Sequence, residues 1–387
     1  MLKPLSWRTP EWVHFGFDTA LKVGPEAKRL GAGRVMVLSG PNVAQSGALE
    51  PVLDSLKQAS LDHAHFSQVE EEPSIGNFYE TLAAAKDGDF DVYVGVGGGS
   101  ALDMTKMVAA LMGNDLKLEQ TFGVDLVPRR GRPSIMVATT AGTGSESTRI
   151  AVFSDKEAAT KRVVSAWNIL ADVAIVDPKL TVTMPRKVTA DTGIDAFIHA
   201  LESYIAVNAN PVTEGLSLQA INLCAENLGP AFANGKNLAA RHNMSLASML
   251  AGITLNNAGV GVLHAFSFPI GREYELTHGP ALTAVLPATM LAVSLACPDK
   301  FRLVAEAFGV DTDGMDQFEA CEAAVLAMTT LIDLLGLPSN LSAVEADPER
   351  IDDWAAAAYA NRRLLDNTPR DLSEEDLRQV LKDSFWD

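Results

Sequence analysis

The feature that most restricts the fold of this 387-residue chain is a change of sequence pattern at Met184-Pro185. Before this point, short β-branched runs alternate with segments compatible with helices, a pattern typical of a parallel sheet covered by helices. The predicted strands are Arg34 to Leu38, Asp91 to Val96, Ser134 to Ala138 and Val173 to Val176, and the predicted helices include Gly47 to Ala59 and Asn77 to Lys86.

After Pro185, long amphipathic segments rich in Ala, Leu and Met replace the strand-forming runs. The predicted helices of this half are Arg186 to Ala206, Pro211 to Asn227, Leu238 to Asn256 and Met315 to Leu335, with a solvated C-terminal helix after Asp371. We therefore predict an α/β dinucleotide-binding domain over residues 1–185 and an all-helical domain over residues 186–387.

Composition narrows the class of partner. Acidic residues outnumber basic ones, 49 against 31, for a net charge of −18, and basic runs are absent. These properties argue against nucleic acid or an anionic membrane as a partner and favour a small molecule. The three cysteines lack CxxC spacing and the N-terminus lacks an apolar signal region, so we expect a cytoplasmic protein. The uncharged stretch 243–270 contains polar residues and glycines, which favours a buried helix pair over a membrane span.

One aspartate and three histidines have spacings suited to a divalent metal. Asp195 and His199 stand four apart in a predicted helix, so both side chains lie on one face. His264 falls in the uncharged stretch and His278 follows it. A buried histidine needs a partner, and a metal is one answer. The alternatives are a solvated or core-satisfied Asp195–His199 pair, and a His264 hydrogen-bonded to a backbone carbonyl.

A glycine cluster follows the second predicted strand. In DVYVGVGGGSALDMTK, Gly97, Gly98, Gly99 and Ser100 lead from the strand into a helix, where bare backbone N–H groups attract a phosphate. A tight strand-to-helix connection is the alternative, because the GxGxxG spacing is missing. A second loop, TTAGTGSEST, offers the hydroxyl groups of Thr139, Thr140 and Thr143. Two such loops at one sheet edge predict a nucleotide crevice.

The order of the motifs resembles that of the iron-containing (group III) alcohol dehydrogenases. The matching segments are GGGSALDMTK, TTAGTGSEST, VDPKLTVTMP, TADTGIDAFIHALESY, NNAGVGVLHAFSFPIG and THG, and the resemblance extends from near Phe15 to about Met290. It implies the dehydroquinate synthase-like fold, in which a nucleotide-binding α/β domain and a helical domain hold a catalytic metal in the cleft between them. It also implies a metal-dependent, NAD(P)-linked alcohol dehydrogenase or aldehyde reductase, usually a homodimer or larger homo-oligomer.

The resemblance also assigns residues. It places the metal ligands, which carry the catalysis, on Asp195, His199, His264 and His278. The implied cofactor-binding residues are Gly97, Gly98, Gly99, Ser100, Asp103, Thr139, Thr140, Thr143 and Lys161. One carboxylate and three imidazoles suit Fe²⁺ or Zn²⁺, and an ion with an open position activates an alcohol or carbonyl oxygen while hydride moves to or from the nicotinamide.

Three positions depart from the family pattern. Phe268 stands where many members carry a second histidine, which removes a proton relay and predicts a role in substrate preference. Gly40 replaces the aspartate that binds the adenosine ribose in NAD-preferring relatives, which permits NADP, whereas the charge of Glu72 opposes it. We therefore expect NAD, with NADP as the alternative. Arg272 stands where a small residue is common, and it either anchors an acid-bearing substrate or forms a surface or inter-helix salt bridge, with Glu273 and Glu275 as candidate partners.

Three other functions compete with the dehydrogenase. A lyase of the dehydroquinate synthase type has the same scaffold but different motifs. A hydroxyacid-oxoacid transhydrogenase would keep its cofactor bound and recycle it between two substrates. A non-catalytic nucleotide-binding protein would have no need of all four ligands.

Overall fold

The computed structural model describes residues 5–158 and 160–386. By internal packing the chain divides into two compact units, one spanning Trp7–Met184 and the other beginning at Pro185. The architectures are those predicted: a parallel sheet flanked by helices, and then a helical unit.

The N-terminal unit is built on a six-stranded parallel sheet of order β1-β9-β6-β4-β2-β3. Its strands are β1 Trp12–Phe15, β2 Arg34–Ser39, β3 Asp62–Phe66, β4 Val92–Gly97, β6 Ser134–Ala138 and β9 Val173–Val176. The helices are α1 Val23–Arg29, α2 Pro41–Gln45, α3 Glu50–Gln58, α4 Ile75–Asp87 and α5 Gly99–Leu111. The central strands are buried except for Arg34 at the start of β2, which explains their apolar, β-branched sequences.

The strand order reverses direction between β2 and β4. The chain leaves β2 toward β3 on one side, and leaves β4 toward β6 on the other. In open α/β sheets, ligands bind outside the carboxyl ends of the strands at such a switch point. The turn from β4 into α5, which contains the glycine cluster, lies at this point.

Several strands have no counterpart in the predictions. β1 and β3 form the two edges of the main sheet, and a second, three-stranded sheet contains β5 Gly123–Val124, β7 Ile150–Asp155 and β8 Thr160–Ser165. The sequence of β3, DHAHF, is polar because an edge strand is only partly covered.

The helical unit contains eleven helices among the described residues. They are α6 Arg186–Ile205, α7 Pro211–Ala233, α8 Leu238–Ala258, α9 Val262–Glu273, α10 His278–Thr283, α11 Leu286–Ser294, α12 Pro298–Ala307, α13 Gln317–Leu335, α14 Ile351–Ala360, α15 Arg362–Leu365 and α16 Glu374–Lys382. Local signals set several boundaries: Asn210 and Asp316 form capping boxes at the starts of α7 and α13, and Gly336 ends α13 in the left-handed region. The predicted C-terminal helix exists as α16, although Leu377, Val380 and Leu381 are buried.

The functional side chains of this unit come from α6, α9 and α10. Fifteen of the twenty residues of α6 are buried, in packing against α7, α8 and α10. The uncharged stretch forms α8 and α9, which are bent by 107° relative to each other and largely buried, as predicted. Within the described ranges, no single helix has the length and apolar character of a membrane span.

Candidate metal and nucleotide sites

Four side chains predicted as metal ligands converge in the helical unit. Asp195 and His199 project from α6, His264 comes from α9, and His278 is the first residue of α10. One potential ligand atom from each lies within 4.8 Å of those of the other three. The cluster is buried on the side of Asp195, His199 and His264, whereas the His278 side chain is 36% exposed. Helix packing therefore brings together residues separated by as many as 83 positions in the sequence.

The spacing within this cluster fits a metal ion. Asp195 Oδ1 lies 3.5 Å from His199 Nε2 and 3.6 Å from His278 Nε2. Ligand atoms about 2.1 Å from a tetrahedral ion are about 3.4 Å apart, so these separations match a shared ion better than direct hydrogen bonds.

Buried atoms of the cluster lack hydrogen-bond partners. Within the described chain, Asp195 Oδ1, His199 Nδ1 and His264 Nε2 are buried and unpaired. Leaving one such group unsatisfied costs about 1–3 kcal/mol. A bound cation would satisfy Asp195 Oδ1 and the lone pair of His264 Nε2 together, so these two groups fit the metal that the sequence predicts. His199 faces Asp195 with Nε2, so its Nδ1 is not the atom that the ion would bind.

His264 is held by a residue outside the predicted ligand set. Its Nδ1 donates to Glu202 Oε2 at 2.5 Å, and Glu202 Oε1 accepts from the backbone N–H of Leu263 at 2.8 Å. The alternative in which a backbone carbonyl satisfies His264 is therefore wrong, because the partner is a buried carboxylate. Burial lowers the pKa of His264 to about 3 and raises the pKa of Glu202 to about 7. His264 is thus a neutral imidazole with Nε2 free of a proton.

Phe268 and Arg272 follow His264 along one side of α9, at intervals of four residues. The Phe268 ring lies near His278, with centroids 6.3 Å apart and planes at 26°. Arg272 is exposed and forms no ion pair within the described residues. The alternative of a salt bridge to Glu273 or Glu275 has no counterpart among the described residues: Glu273 binds Arg350 and Trp354, and the Arg272 charge only contributes, after the Arg350 hydrogen bond, to lowering the pKa of Glu273.

The predicted phosphate-binding turn and the threonine loop lie side by side at the carboxyl ends of β4 and β6. The Thr139 N–H donates to the Gly97 carbonyl at 2.9 Å. A Cβ added to Gly98 would lie 3.2 Å from Thr140, and one added to Gly99 would lie 3.1 Å from Thr143. Among the described residues, no side chain caps α5, and its first turn contains no acid, so its N-terminal N–H groups are available to bind an anion.

Beneath these loops lies a buried polar network. The Lys106 ammonium contacts Asp103 Oδ1 at 2.9 Å and donates to Ser145 Oγ at 2.8 Å and to the Ile150 carbonyl. Asp103 also accepts from Ser145 Oγ at 2.6 Å and from the backbone N–H of Val152 at 3.0 Å. Because these partners occupy both oxygens of Asp103, the carboxylate ties α5 to the threonine loop.

An acidic segment contacts the switch point. Asn42 Nδ2, at the start of α2, donates to Glu71 Oε1 at 2.8 Å, and Ser100 Oγ donates to the Glu71 carbonyl. Lys161 pairs with Glu72 at 3.0 Å, with both side chains well exposed. Glu71 therefore links the residues that follow β2 to the start of α5.

Comparisons with known proteins agree with this architecture. Residues 10–178 match the model of the iron-containing alcohol dehydrogenase family, and residues 189–385 match its C-terminal domain. Long-chain-alcohol dehydrogenase 1 of Geobacillus thermodenitrificans is 36% identical, with 97% of this chain and 95% of that protein covered. The sulfoacetaldehyde reductase of Bilophila wadsworthia is 34% identical, with 96% and 97% covered. The solved alcohol dehydrogenase of Oenococcus oeni superposes with a TM-score of 0.94 at 34% identity, covering 99% of this chain and 100% of that one.

The chain belongs to the iron-containing alcohol dehydrogenase family. It is an oxidoreductase that acts as a metal-dependent alcohol dehydrogenase or aldehyde reductase, and the predicted fold class is confirmed. The comparisons favour neither the lyase nor the transhydrogenase alternative.

Sequence reasoning missed several residues that the structure places around these sites. Glu202 follows His199 by three positions on α6, and that helical spacing was a usable signal. Lys106 stands in the matched GGGSALDMTK segment, but its burial beneath the loops depends on tertiary packing. Glu146, whose pKa is raised to about 7 by complete burial, gave no local signal.

Proposed function

We propose that Asp195, His199, His264 and His278 bind one divalent ion, and that the enzyme uses it with a nicotinamide cofactor to interconvert a primary alcohol and its aldehyde. The observation that carries this proposal is the convergence of four ligand atoms within 4.8 Å, two of which, Asp195 Oδ1 and His264 Nε2, are buried without partners among the described residues. When bound, the ion supplies Lewis acidity to an alcohol or carbonyl oxygen, and the nicotinamide accepts or supplies the hydride.

The chain's own residues prepare this chemistry. Neutral His264 keeps an unprotonated Nε2 within the cluster, held by Glu202. Phe268 presents an apolar ring beside His278, on the more exposed side of the cluster, where it excludes water and shapes the space for the substrate. No proton relay passes through position 268.

The proposed cofactor site is the pair of loops at the carboxyl ends of β4 and β6. The uncapped N-terminus of α5 supplies N–H groups and a partial positive charge for a pyrophosphate. Thr140 and Thr143, packed against Gly98 and Gly99, present hydroxyl groups at the same edge. Asp103, an implied cofactor residue on α5, holds the threonine loop in place through Ser145 and Lys106.

We favour NAD over NADP for an electrostatic reason. The adenosine end of a dinucleotide is expected near the end of β2, where Glu71 binds Asn42 and Glu72 lies one residue further along. A 2′-phosphate placed near these carboxylates would be repelled, and Lys161 is already paired with Glu72. Measured kcat/KM should therefore favour NADH, and a clear preference for NADPH would overturn this assignment.

The decisive experiment is turnover by the reloaded full-length enzyme. Metal-free protein would be reloaded with Fe²⁺ or with Zn²⁺, the alternative ion, and assayed by loss of NADH absorbance with matched aldehydes. We expect one equivalent of ion per chain, and metal-dependent turnover that Asp195→Asn abolishes. Turnover without metal, or full metal binding by Asp195→Asn, would contradict the site.

A second proposal concerns the substrate. Arg272 is exposed and has no ion partner among the described residues. It lies about two helical turns after His264, on the same side of α9. This arrangement supports an anionic substituent on the substrate, and one relative is named for a sulfonated aldehyde. Arg272→Gln should raise KM for a carboxylate- or sulfonate-bearing aldehyde far more than for a neutral one of equal length. Equal effects on both aldehydes would return Arg272 to a surface role.

We also propose that the enzyme works as a cytoplasmic homodimer. Its three free cysteines agree with a reducing compartment, and the family resemblance implies a dimer or larger homo-oligomer. Light scattering coupled to size-exclusion chromatography would measure the mass in solution. A monomer would contradict the oligomeric part of the proposal.

A further inference from the structure

Helix α6 carries two further carboxylates on the side that bears Asp195 and His199. Asp191 precedes Asp195 by four residues, and Glu202 follows His199 by three. At 100° per residue, positions 191, 195, 199 and 202 all fall within a sector of about 80°. The two proposed ligands are therefore flanked along one face by an acid at each end.

Glu202 is the more buried of the flanking acids, with 2% of its side chain exposed. It accepts the Nδ1 proton of His264 at 2.5 Å and, through its other oxygen, the backbone N–H of Leu263 at 2.8 Å. Two contacts from one carboxylate fix both the ring and the backbone of the first turn of α9. The Nδ1–H bond also sets the tautomer, which leaves the unpaired Nε2 within the cluster.

Asp191 acts at the opposite end, on the segment that carries His278. Its Oδ2 accepts from Thr277 Oγ1 at 2.8 Å, and Thr277 is the N-cap residue of α10. A Cβ on Gly279 would lie 2.7 Å from the Asp191 carbonyl oxygen, so the start of α10 packs directly on the α6 backbone. His278 lies between these two contacts and is the most exposed of the four side chains.

We propose that Glu202 and Asp191 are positioning residues on α6 that hold the two histidines of the neighbouring helices in the geometry that binds the metal. Glu202 holds His264 of α9 directly, and Asp191 holds His278 of α10 through Thr277. α6 would then supply two ligands and also aim the other two. This inference rests on the proposed metal site, and it assigns functions to two residues that the ligand set does not include.

The test measures metal affinity in the full-length protein, with Co²⁺ as the probe. Competition with a chromophoric chelator gives the dissociation constant, and the visible Co²⁺ spectrum reports the ligand geometry. We expect Glu202→Ala to weaken Co²⁺ binding by about 10- to 100-fold, as removal of such hydrogen bonds to metal-bound histidines typically does. Glu202→Gln keeps one hydrogen-bond acceptor for His264, so it should lose less Co²⁺ affinity than Glu202→Ala. Asp191→Asn should weaken Co²⁺ binding several-fold. Both variants should shift the Co²⁺ spectrum.

Glu273→Gln is the matched control because Glu273 also anchors α9, through Arg350 and Trp354, at the end remote from His264. It should leave Co²⁺ affinity and spectrum unchanged, and the melting temperature of each metal-free variant would separate unfolding from loss of ligand geometry. If Glu202→Ala fails to fold, Glu202→Gln decides. Wild-type affinity and spectrum in folded Glu202 variants, or equal weakening by Glu273→Gln, would overturn the inference. Failure of wild-type protein to bind Co²⁺ would instead reject the proposed metal site itself.

Discussion

The proposed metal-binding cluster of the helical unit and the glycine-rich turn of the N-terminal unit are built in opposite ways. In the cluster, buried polar atoms such as Asp195 Oδ1 and His264 Nε2 lack partners among the described residues. Below the turn, Asp103, Lys106 and Ser145 satisfy one another, and the groups available to a ligand are backbone N–H groups at the start of α5. A candidate site made of side chains can therefore be recognised by buried polar atoms without hydrogen-bond partners. A candidate site made of backbone N–H groups can be recognised only by the side-chain network that holds the backbone in place.

The largest expected effect comes from removing a proposed ligand. His264→Ala removes a neutral imidazole from the cluster, and the loss of one of four ligands should weaken metal binding by about 10³-fold. Equilibrium dialysis with metal analysis would measure it. His242→Ala, a histidine of α8 outside the cluster, is the control. If His264→Ala retained wild-type metal affinity, the unpaired atoms of the cluster would not mark a metal site.

Lys106→Met tests the buried network of Asp103, Lys106 and Ser145, whose members satisfy one another's hydrogen bonds. This change removes a fully buried ammonium and leaves Asp103 without its cation. Breaking one partner of a buried pair costs about 4 kcal/mol, which should lower the melting temperature while metal affinity stays unchanged. Lys179→Met removes an exposed pair with Asp18 and should lower the melting temperature much less, because water screens that pair. Equal losses in the two variants would show that the network is not a stabilising scaffold.

Glu146 follows Ser145 in the chain and is influenced by the charge of Lys106, so it gives a pH-dependent test of the same scaffold. Burial raises its pKa from 4.5 to about 7, so the folded state holds a proton that the unfolded state releases between these values. The stability contributed by that protonated form is complete below pH 4.5 and is lost as pH rises through 7. Glu146→Gln should therefore be more stable than wild type by about 3 kcal/mol above pH 7, with no difference near pH 4. Urea unfolding across this range would measure the difference.

Glu80→Gln, at an exposed carboxylate of α4, is the control for Glu146 and should show no such pH-dependent gain. A gain for Glu146→Gln that is constant across the pH range would contradict the linkage.

The smallest expected effect concerns the backbone side of the comparison. Gly98→Ala places a methyl group 3.2 Å from Thr140, where a cofactor would approach the turn. We expect KM for NADH to rise about tenfold, equivalent to about 1.4 kcal/mol, with metal affinity unchanged. For Gly215→Ala on α7, the described residues outside the helix backbone place no atom within 4 Å of the added Cβ, so KM should stay as it is. An unchanged KM in Gly98→Ala would move the proposed cofactor away from this turn.

Sequence patterns predicted the central elements better than the edges. The buried strands β2, β4, β6 and β9 appear as apolar β-branched runs, because both faces of a central strand are covered. β3, with the sequence DHAHF, lacks that pattern because it lies at an edge. The antiparallel pair β7 and β8 contains charged residues such as Lys161 and Arg162, which conceal a strand from a hydrophobic scan.

The same limit applies to the candidate sites. Asp195 and His199 are neighbours by helical periodicity, so local reasoning relates them to each other. His264 and His278 reach them only through packing of α6 with α9 and α10, which no local pattern specifies, and family resemblance supplied that connection. Asp191 and Glu202 match the same helical periodicity, but the sequence alone did not distinguish them from ordinary surface acids.

The uneven exposure of the cluster has a kinetic consequence. His264 is almost fully enclosed, while more than a third of the His278 side chain faces solvent. An ion that exchanges with the medium would make its last contact with the protein through His278 on leaving and its first on arrival. The dissociation rate of the ion would then depend mainly on that single residue.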